Sequence, residues 1–204
     1  MNILAIGAHP DDIEFGCGGT LLQYVRAGHS VYLLILTSGD VGGDPHIRQK
    51  EALNASEFMG VKKVFWGYYR DTELTINRPL ITTIEKVVIA IEPDIVFMNY
   101  SEDMHQDHRA AASAGISATR HIKEVLFYEV PSTQHFYPDI FVNIGEVLAD
   151  KLALLKLHES QVNRTSIAHL AITESVEACA LFRGFQGKVK YAEGFKALRV
   201  LRVI

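Results

Sequence analysis

Two short runs carry the residue types that can do chemistry in this chain. Ala8-His9-Pro10-Asp11-Asp12 follows the apolar stretch Ile3 to Ile6, and His105-Gln106-Asp107-His108 follows the apolar run Ile95 to Met98. Each run stands where a β-strand should give out into a loop, which is where open α/β folds keep their active sites. A catalytic zinc ion takes three protein ligands from His, Asp, Glu or Cys and leaves a further position to water or substrate. His9, Asp12 and His108 supply that count. His9 and Asp12 lie three positions apart across Pro10, so a tight turn can aim both inward while Asp11 points elsewhere, free to serve as a base. Metal-bound water is acidified towards neutrality, and an adjacent carboxylate can take its proton as the oxygen attacks a carbonyl. The negative oxygen that results needs partners. His105, held in orientation by Asp107, is the candidate beside the metal, because an imidazolium donates from both nitrogens. Taken singly, the first run is also a plain Pro-Asp turn, and Asp107 is also a plain N-cap for the Ala-rich helix near His108. Two such constellations at two strand ends favour a shared hydrolytic site.

The elements that must position them alternate along the chain. Strands are expected at Asn2 to Gly7, Val31 to Thr37, Lys63 to Trp66, Asp94 to Met98 and Val125 to Tyr128. Helices are expected at Gly18 to Ala27, Ile47 to Met59, Leu80 to Ile91 (closed by Pro93) and His108 to Arg120. This alternation predicts an α/β fold of Rossmann-like type. Its mostly parallel sheet carries helices on both faces, and right-handed crossovers collect the candidate residues at the C-terminal edge of the strands. The last third is less regular. It reads as a strand at Ile140 to Ile144, helices at Val147 to His158 and Ser175 to Phe182, and a final strand at Ala197 to Ile204. The Gly-rich loop Ser38 to Pro45 reads as a mobile rim.

With 204 residues, 48% hydrophobic and 22% charged, the chain can bury a substantial core within one domain, residues 1–204. A net charge of -4 with scattered Lys and Arg offers no field for a phosphate backbone, so nucleic acid is not an expected partner. The first apolar stretch has no basic region before it and is far shorter than the roughly 20 residues of a membrane span. A cytoplasmic location is the expectation. Cys17 and Cys179 are too few for a disulfide framework and form no C-x-x-C pair; Cys17 is expected to be a small buried residue outside the site. Gly16-Cys17-Gly18-Gly19-Thr20 has Leu21 where a dinucleotide fingerprint needs its last Gly, and no G-K-[ST] occurs. Those glycines are expected to let a helix approach the sheet. His29, His46, His121, His158 and His169 have no matching ligand partner near them in sequence, whereas His135, before Phe136 and Tyr137, is a candidate pocket-wall residue.

The AHPDD run with its downstream His-x-Asp-His resembles the zinc-dependent N-acetylglucosaminylphosphatidylinositol deacetylase (PIG-L) and LmbE-like family, which removes acyl groups from N-acylated amino sugars. Supporting segments span most of the chain: Arg48 and Glu51 in R-x-x-E, Lys156 to Gln161 in K-x-x-x-S-Q, and Tyr191-Ala192-Glu193-Gly194-Phe195. The resemblance implies zinc on His9, Asp12 and His108, Asp11 as base and then acid, and His105 as oxyanion partner braced by Asp107. It also implies sugar contacts from Arg48 and Asp71 and a homo-oligomer, trimer or hexamer. Gln106 stands where many members have Pro, at a position that is not a ligand. A His-Asp-His set also accepts iron(II), cobalt or nickel. The competing readings are a zinc amidohydrolase of a non-sugar N-acyl substrate and a non-catalytic nucleotide-binding module.

Overall fold

A computed structural model describes residues 1–162, 164 and 167–201. Seven strands form one sheet in the order β3-β2-β1-β4-β5-β7-β6. β1 (Asn2–Gly7), β2 (Ser30–Thr37), β3 (Lys63–Tyr69), β4 (Ile95–Asn99) and β5 (Glu124–Tyr128) pair in parallel. β7 (Ala192–Arg199) runs antiparallel to both β5 and β6 (Ile140–Asn143). The fold is therefore the expected α/β sheet, made mixed by its last two strands.

The central strands read as continuous apolar runs because both of their faces are covered. Ile3, Ala5, Leu33 and Ile35 face one core with Leu21, Ala52 and Leu154, whereas Leu4, Ile6, Leu34 and Leu36 face a second with Leu80, Ile84 and Ala111. The helices divide accordingly. α1 (Asp12–Arg26), α2 (Pro45–Met59), α5 (Leu148–Lys156) and α7 (Ile172–Gly187) serve the first face; α3 (Arg78–Ile91) and α4 (Gln106–Ala118) serve the second, and a short α6 (Glu159–Val162) follows α5. Local chemistry sets several boundaries. Asp44 caps α2 through the backbone N–H groups of His46 and Ile47, with Pro45 in its first turn, and Asn77 caps α3 through that of Leu80.

Two expectations shift. α1 begins at Asp12, not near Gly18, so the Gly-rich stretch lies inside the helix. Its function there is steric: a Cβ at Gly16 would overlap the ring of Tyr128, a fully buried side chain of β5. The final strand begins at Ala192, five residues before Ala197, and residues 202–204 of the expected strand lie outside the described residues. Buried Glu193 misdirects the reading, because its carboxylate is enclosed by Lys151 Nζ and the backbone N–H groups of Gly19 and Thr20.

Chain order and spatial order disagree most at β1. From β1 the chain proceeds outward to β2 and β3, then returns to place β4 on the other side of β1. The C-terminal ends of β1 and β4 thus form the topological switch point, where such sheets leave a crevice. Replacing Gly16 by Ala is expected to lower the unfolding free energy by about 1–3 kcal/mol, the usual penalty of overpacking. Urea denaturation of the two proteins measures it, and unchanged stability would show that α1 does not pack as described.

Candidate active site

The loop Ala8 to Asp11 joins β1 to α1 and holds Asp11 at φ 100°, a left-handed conformation costly for a residue with a Cβ. That turn sends the Asp11 and Asp12 side chains in different directions. Asp12, in the first turn of α1, faces the sheet edge and receives Asn99 Nδ2 at 3.3 Å and the His9 backbone N–H at 3.0 Å. Asp11, its side chain 29% exposed, lines an adjoining pocket.

His9 and His108 meet across the switch point. His9 Nδ1 stands 3.1 Å from His108 Nε2, and Asp12 carboxylate oxygens lie 3.6 Å from the former and 3.3 Å from the latter. Ligand atoms about 2.0–2.2 Å from a tetrahedral centre stand roughly 3.3–3.6 Å apart, so this triangle has the size of a zinc ligand set. The far nitrogens are committed. His9 Nε2 faces Asp71 Oδ1 at 3.0 Å and Asp107 Oδ2 at 3.2 Å, while His108 Nδ1 faces Asp103 Oδ1 at 3.1 Å and Ser132 Oγ at 3.3 Å. A carboxylate accepts only, so each far nitrogen carries a hydrogen, and in the neutral rings the near nitrogens present their lone pairs. Two imidazole nitrogens and a carboxylate converging at this range call for positive charge, which a proton on an imidazole or a cation between them can supply.

The ionisation behaviour expresses the same demand. Burial alone would lower both imidazoles, but Asp107, Asp12 and Asp71 hold His9 well above its ordinary value, and Asp12 and Asp103 bring His108 to about 9. Burial would raise Asp12, yet the two histidines keep it well below the usual carboxylate range. Asp11 differs. Burial brings it up to about 6, with Arg48 opposing and Asp12 reinforcing.

His105 is the N-cap of α4, and Asp107, the alternative cap, lies in its first turn. Its Nδ1 accepts from the Asp107 backbone N–H at 3.2 Å, which leaves Nε2 as the protonated nitrogen of the neutral ring. Burial and the charges of His9 and His108 lower its pKa, which favours the neutral ring over the imidazolium. The Asp107 carboxylate does not brace it. That group accepts from the N–H groups of Thr72 and Leu74 and faces His9.

Arg48 and Asp71 are both buried in the scaffold of the site. Arg48 donates to the carbonyls of Gly39 and Pro10 at 2.9 and 2.7 Å and reaches Asp11 Oδ2 at 3.3 Å. Gly39, at φ +67°, leaves the space this guanidinium fills. Asp71 accepts from the Val41 N–H, and although burial would raise it, His9 brings it down to about 2. These bonds tie down the rim loop that was expected to be mobile. His135 is exposed and does not line the pocket, and Cys17 is wholly buried in α1.

Sequence reasoning missed three supports. Asp103, two residues before His105, had a usable signal in its spacing, since Asp-x-His-x-Asp-His repeats acids between imidazoles. Asn99 and Tyr128 had none; Tyr128 OH donates to Ile6 O at 2.8 Å and lies 3.2 Å from Asn99 Oδ1, which accepts from the Ala8 N–H. His158, passed over for lack of a nearby partner, lies 3.4 Å from Glu14, and both are buried.

A family model described as PIG-L, GlcNAc-PI de-N-acetylase, matches residues 4–119, the segment holding His9, Asp12 and His108. The chain belongs to this family. An uncharacterized deacetylase of Escherichia coli, YaiS, is 36% identical over 78% of this chain and 90% of its own. Diacetylchitobiose deacetylase of Thermococcus kodakarensis is 30% identical over 95% of this chain and 82% of its own. The solved N,N'-diacetylchitobiose deacetylase of Pyrococcus horikoshii, in complex with an inhibitor, superimposes with a TM-score of 0.87 at 25% identity, covering 97% of this chain and 83% of the other. This PIG-L member is thus a deacetylase-family enzyme. Among its described residues no helix is long and apolar enough to cross a membrane.

A group whose pKa is raised by folding stabilises the fold fully below its unfolded value and loses that contribution as pH rises through the folded value. For His108 the window runs from about 6.5 to about 9. Chelator-treated protein is therefore expected to lose thermal stability steadily between these pH values. A flat Tm across the window, followed by differential scanning fluorimetry, would show that Asp12 and Asp103 do not favour the charged form of His108.

Proposed function

We propose that this protein is a zinc-dependent hydrolase that removes an N-acetyl or other small N-acyl group from an amino sugar, its glycoside or conjugate. The observation that carries this reading is the paired imidazoles, each anchored by carboxylates behind and presenting a lone pair beside Asp12, with Asp11 left outside the set. The names of the two diacetylchitobiose deacetylases support the amino-sugar substrate.

In this reading His9, Asp12 and His108 hold the metal. A bound zinc ion supplies a Lewis acid that polarises a carbonyl and acidifies water. Asp11, ionised above about pH 6, takes the proton of the water that adds to the amide carbon. His105 donates from Nε2 to the carbonyl oxygen as charge develops on it. When the C–N bond breaks, Asp11 returns the proton to the departing nitrogen, leaving a free amine and a carboxylate. Arg48 fixes the strained turn and holds the Asp11 carboxylate in place, while Asp71, Asp107 and Asp103 fix the tautomers and orientations of the ligand imidazoles. Arg48 and Asp71 act here as supports, with no direct sugar contact.

Acetate release from N-acetylglucosamine glycosides, by protein stripped with chelator and reloaded with zinc, tests the reading; silence with zinc tightly bound would reject it. Asp11→Asn is expected to retain zinc and lose most turnover, whereas His108→Ala loses both. Equal metal loss in the two variants, read by metal analysis after dialysis, would make Asp11 a ligand. His105→Ala is expected to keep its metal and lose about two to three decades of kcat, the size of one oxyanion donor. An unchanged kcat would remove His105 from the reaction.

A further inference from the structure

Among the described residues, six of the eleven that line the pocket opening beside Asp11 and Asp12 are apolar. Phe15 of α1, Val130 and Pro131 after β5, Leu155 of α5, Val162 of α6 and Ile172 of α7 form its walls. Phe15, Val130 and Leu155 belong to the hydrophobic core, so the walls are the core itself opened towards the site. The polar residues on this surface are Asp11 and Asp12 at the end next to the site, with His158, Gln161 and Arg164 elsewhere on the lining. Both ring nitrogens of His158 are hidden from solvent, so the ring shows the pocket its carbons. Gln161 turns its amide nitrogen to Gly42 O and Ser160 Oγ. Arg164 is exposed on the same lining.

The pocket's free volume is about 140 Å³. A cavity accommodates a water once about 10–15 Å³ is open to the centre of the molecule. By that measure the space is roughly ten times what one water, or the methyl of an acetyl group, requires. Against the walls formed by Phe15, Val130, Pro131, Leu155, Val162 and Ile172 a sugar ring would find no side-chain donors or acceptors, and burying its hydroxyls against hydrocarbon is unfavourable. An acyl chain meets no such penalty. Its carbonyl has to lie at the metal triangle and Asp11, which is where this pocket begins.

We propose that this pocket receives the acyl chain of the substrate and that the enzyme accepts chains longer than acetyl, of about butanoyl to hexanoyl length. The proposal rests on the hydrolase reading and specifies its substrate class: N-acyl amino sugars with short aliphatic acyl groups. The amino sugar then lies outside the pocket. Each methylene that enters the apolar space raises kcat/KM about fourfold until the pocket is full.

The test uses zinc-loaded protein and glucosamine carrying N-acetyl, N-butanoyl or N-hexanoyl, with released amine quantified. The expected result is a rise in kcat/KM of tenfold or more from acetyl to the best longer chain. Val162→Phe and Ile172→Phe, at two half-buried wall positions, should lower the ratio of hexanoyl to acetyl kcat/KM at least tenfold. Product inhibition gives a reading independent of turnover: hexanoate should bind more tightly than acetate to the parent protein, and the Phe variants should erase that difference. Acetyl as the best substrate, with hexanoate no tighter than acetate, would overturn the acyl pocket and leave the deacetylase reading standing. No amine from any of the three would overturn both.

Discussion

Two imidazole nitrogens 3.1 Å apart, each with its hydrogen committed on the far side, cannot rest against each other without positive charge between them. Much of the surrounding structure follows from that constraint. Asp71 and Asp107 behind His9, and Asp103 behind His108, fix the tautomers that create the conflict. Asp12 adds a negative group to the same point. The cost of burying so many acids is met by backbone donors: Thr72 and Leu74 for Asp107, Val41 for Asp71, and His105 for Asp103. Such a cluster favours positive charge at its centre, and the raised pKa values of His9 and His108 express that preference.

The sheet makes the encounter possible. His9 and His108 are far apart in sequence, yet β1 and β4 are hydrogen-bonded neighbours, so the loops leaving them share one crevice. Asp71 arrives from the end of β3, Ser132 from beyond β5, and Arg48 from α2. The turn between β1 and α1 is short enough to need a left-handed Asp11, and Arg48 clamps it through Pro10 O. Strain at that residue is supported by a buried guanidinium that has no freedom to leave.

Much of this was legible because it depends on local pattern. The apolar runs of β1, β2 and β4 are long and continuous, and the His/Asp clusters stand directly after two of them. What escaped depends on pairing across sequence distance. β7 was displaced by five residues because its buried Glu193 looks like a surface acid until Lys151 and the N–H groups within α1 are seen around it. His158 and Glu14 likewise find each other only in the folded chain. Arg48 and Asp71 were located correctly after their strands, but their position could not reveal that the scaffold already uses their hydrogen bonds.

Adjacent carboxylates with the same intrinsic acidity are separated here by surroundings alone. Asp12 turns towards two imidazoles that favour its charge, and its pKa falls. Asp11 turns into a pocket walled by core hydrocarbon, where burial outweighs the help of Arg48, and its pKa rises to about 6. One side chain is thereby held as an anion beside the two imidazoles, while its neighbour gains and loses a proton near pH 6. The same apolar walls that raise Asp11 also shape the space beside it. A pocket made more polar would solvate Asp11 and lower its pKa, so the shape of this space and the acidity of Asp11 are set by one surface.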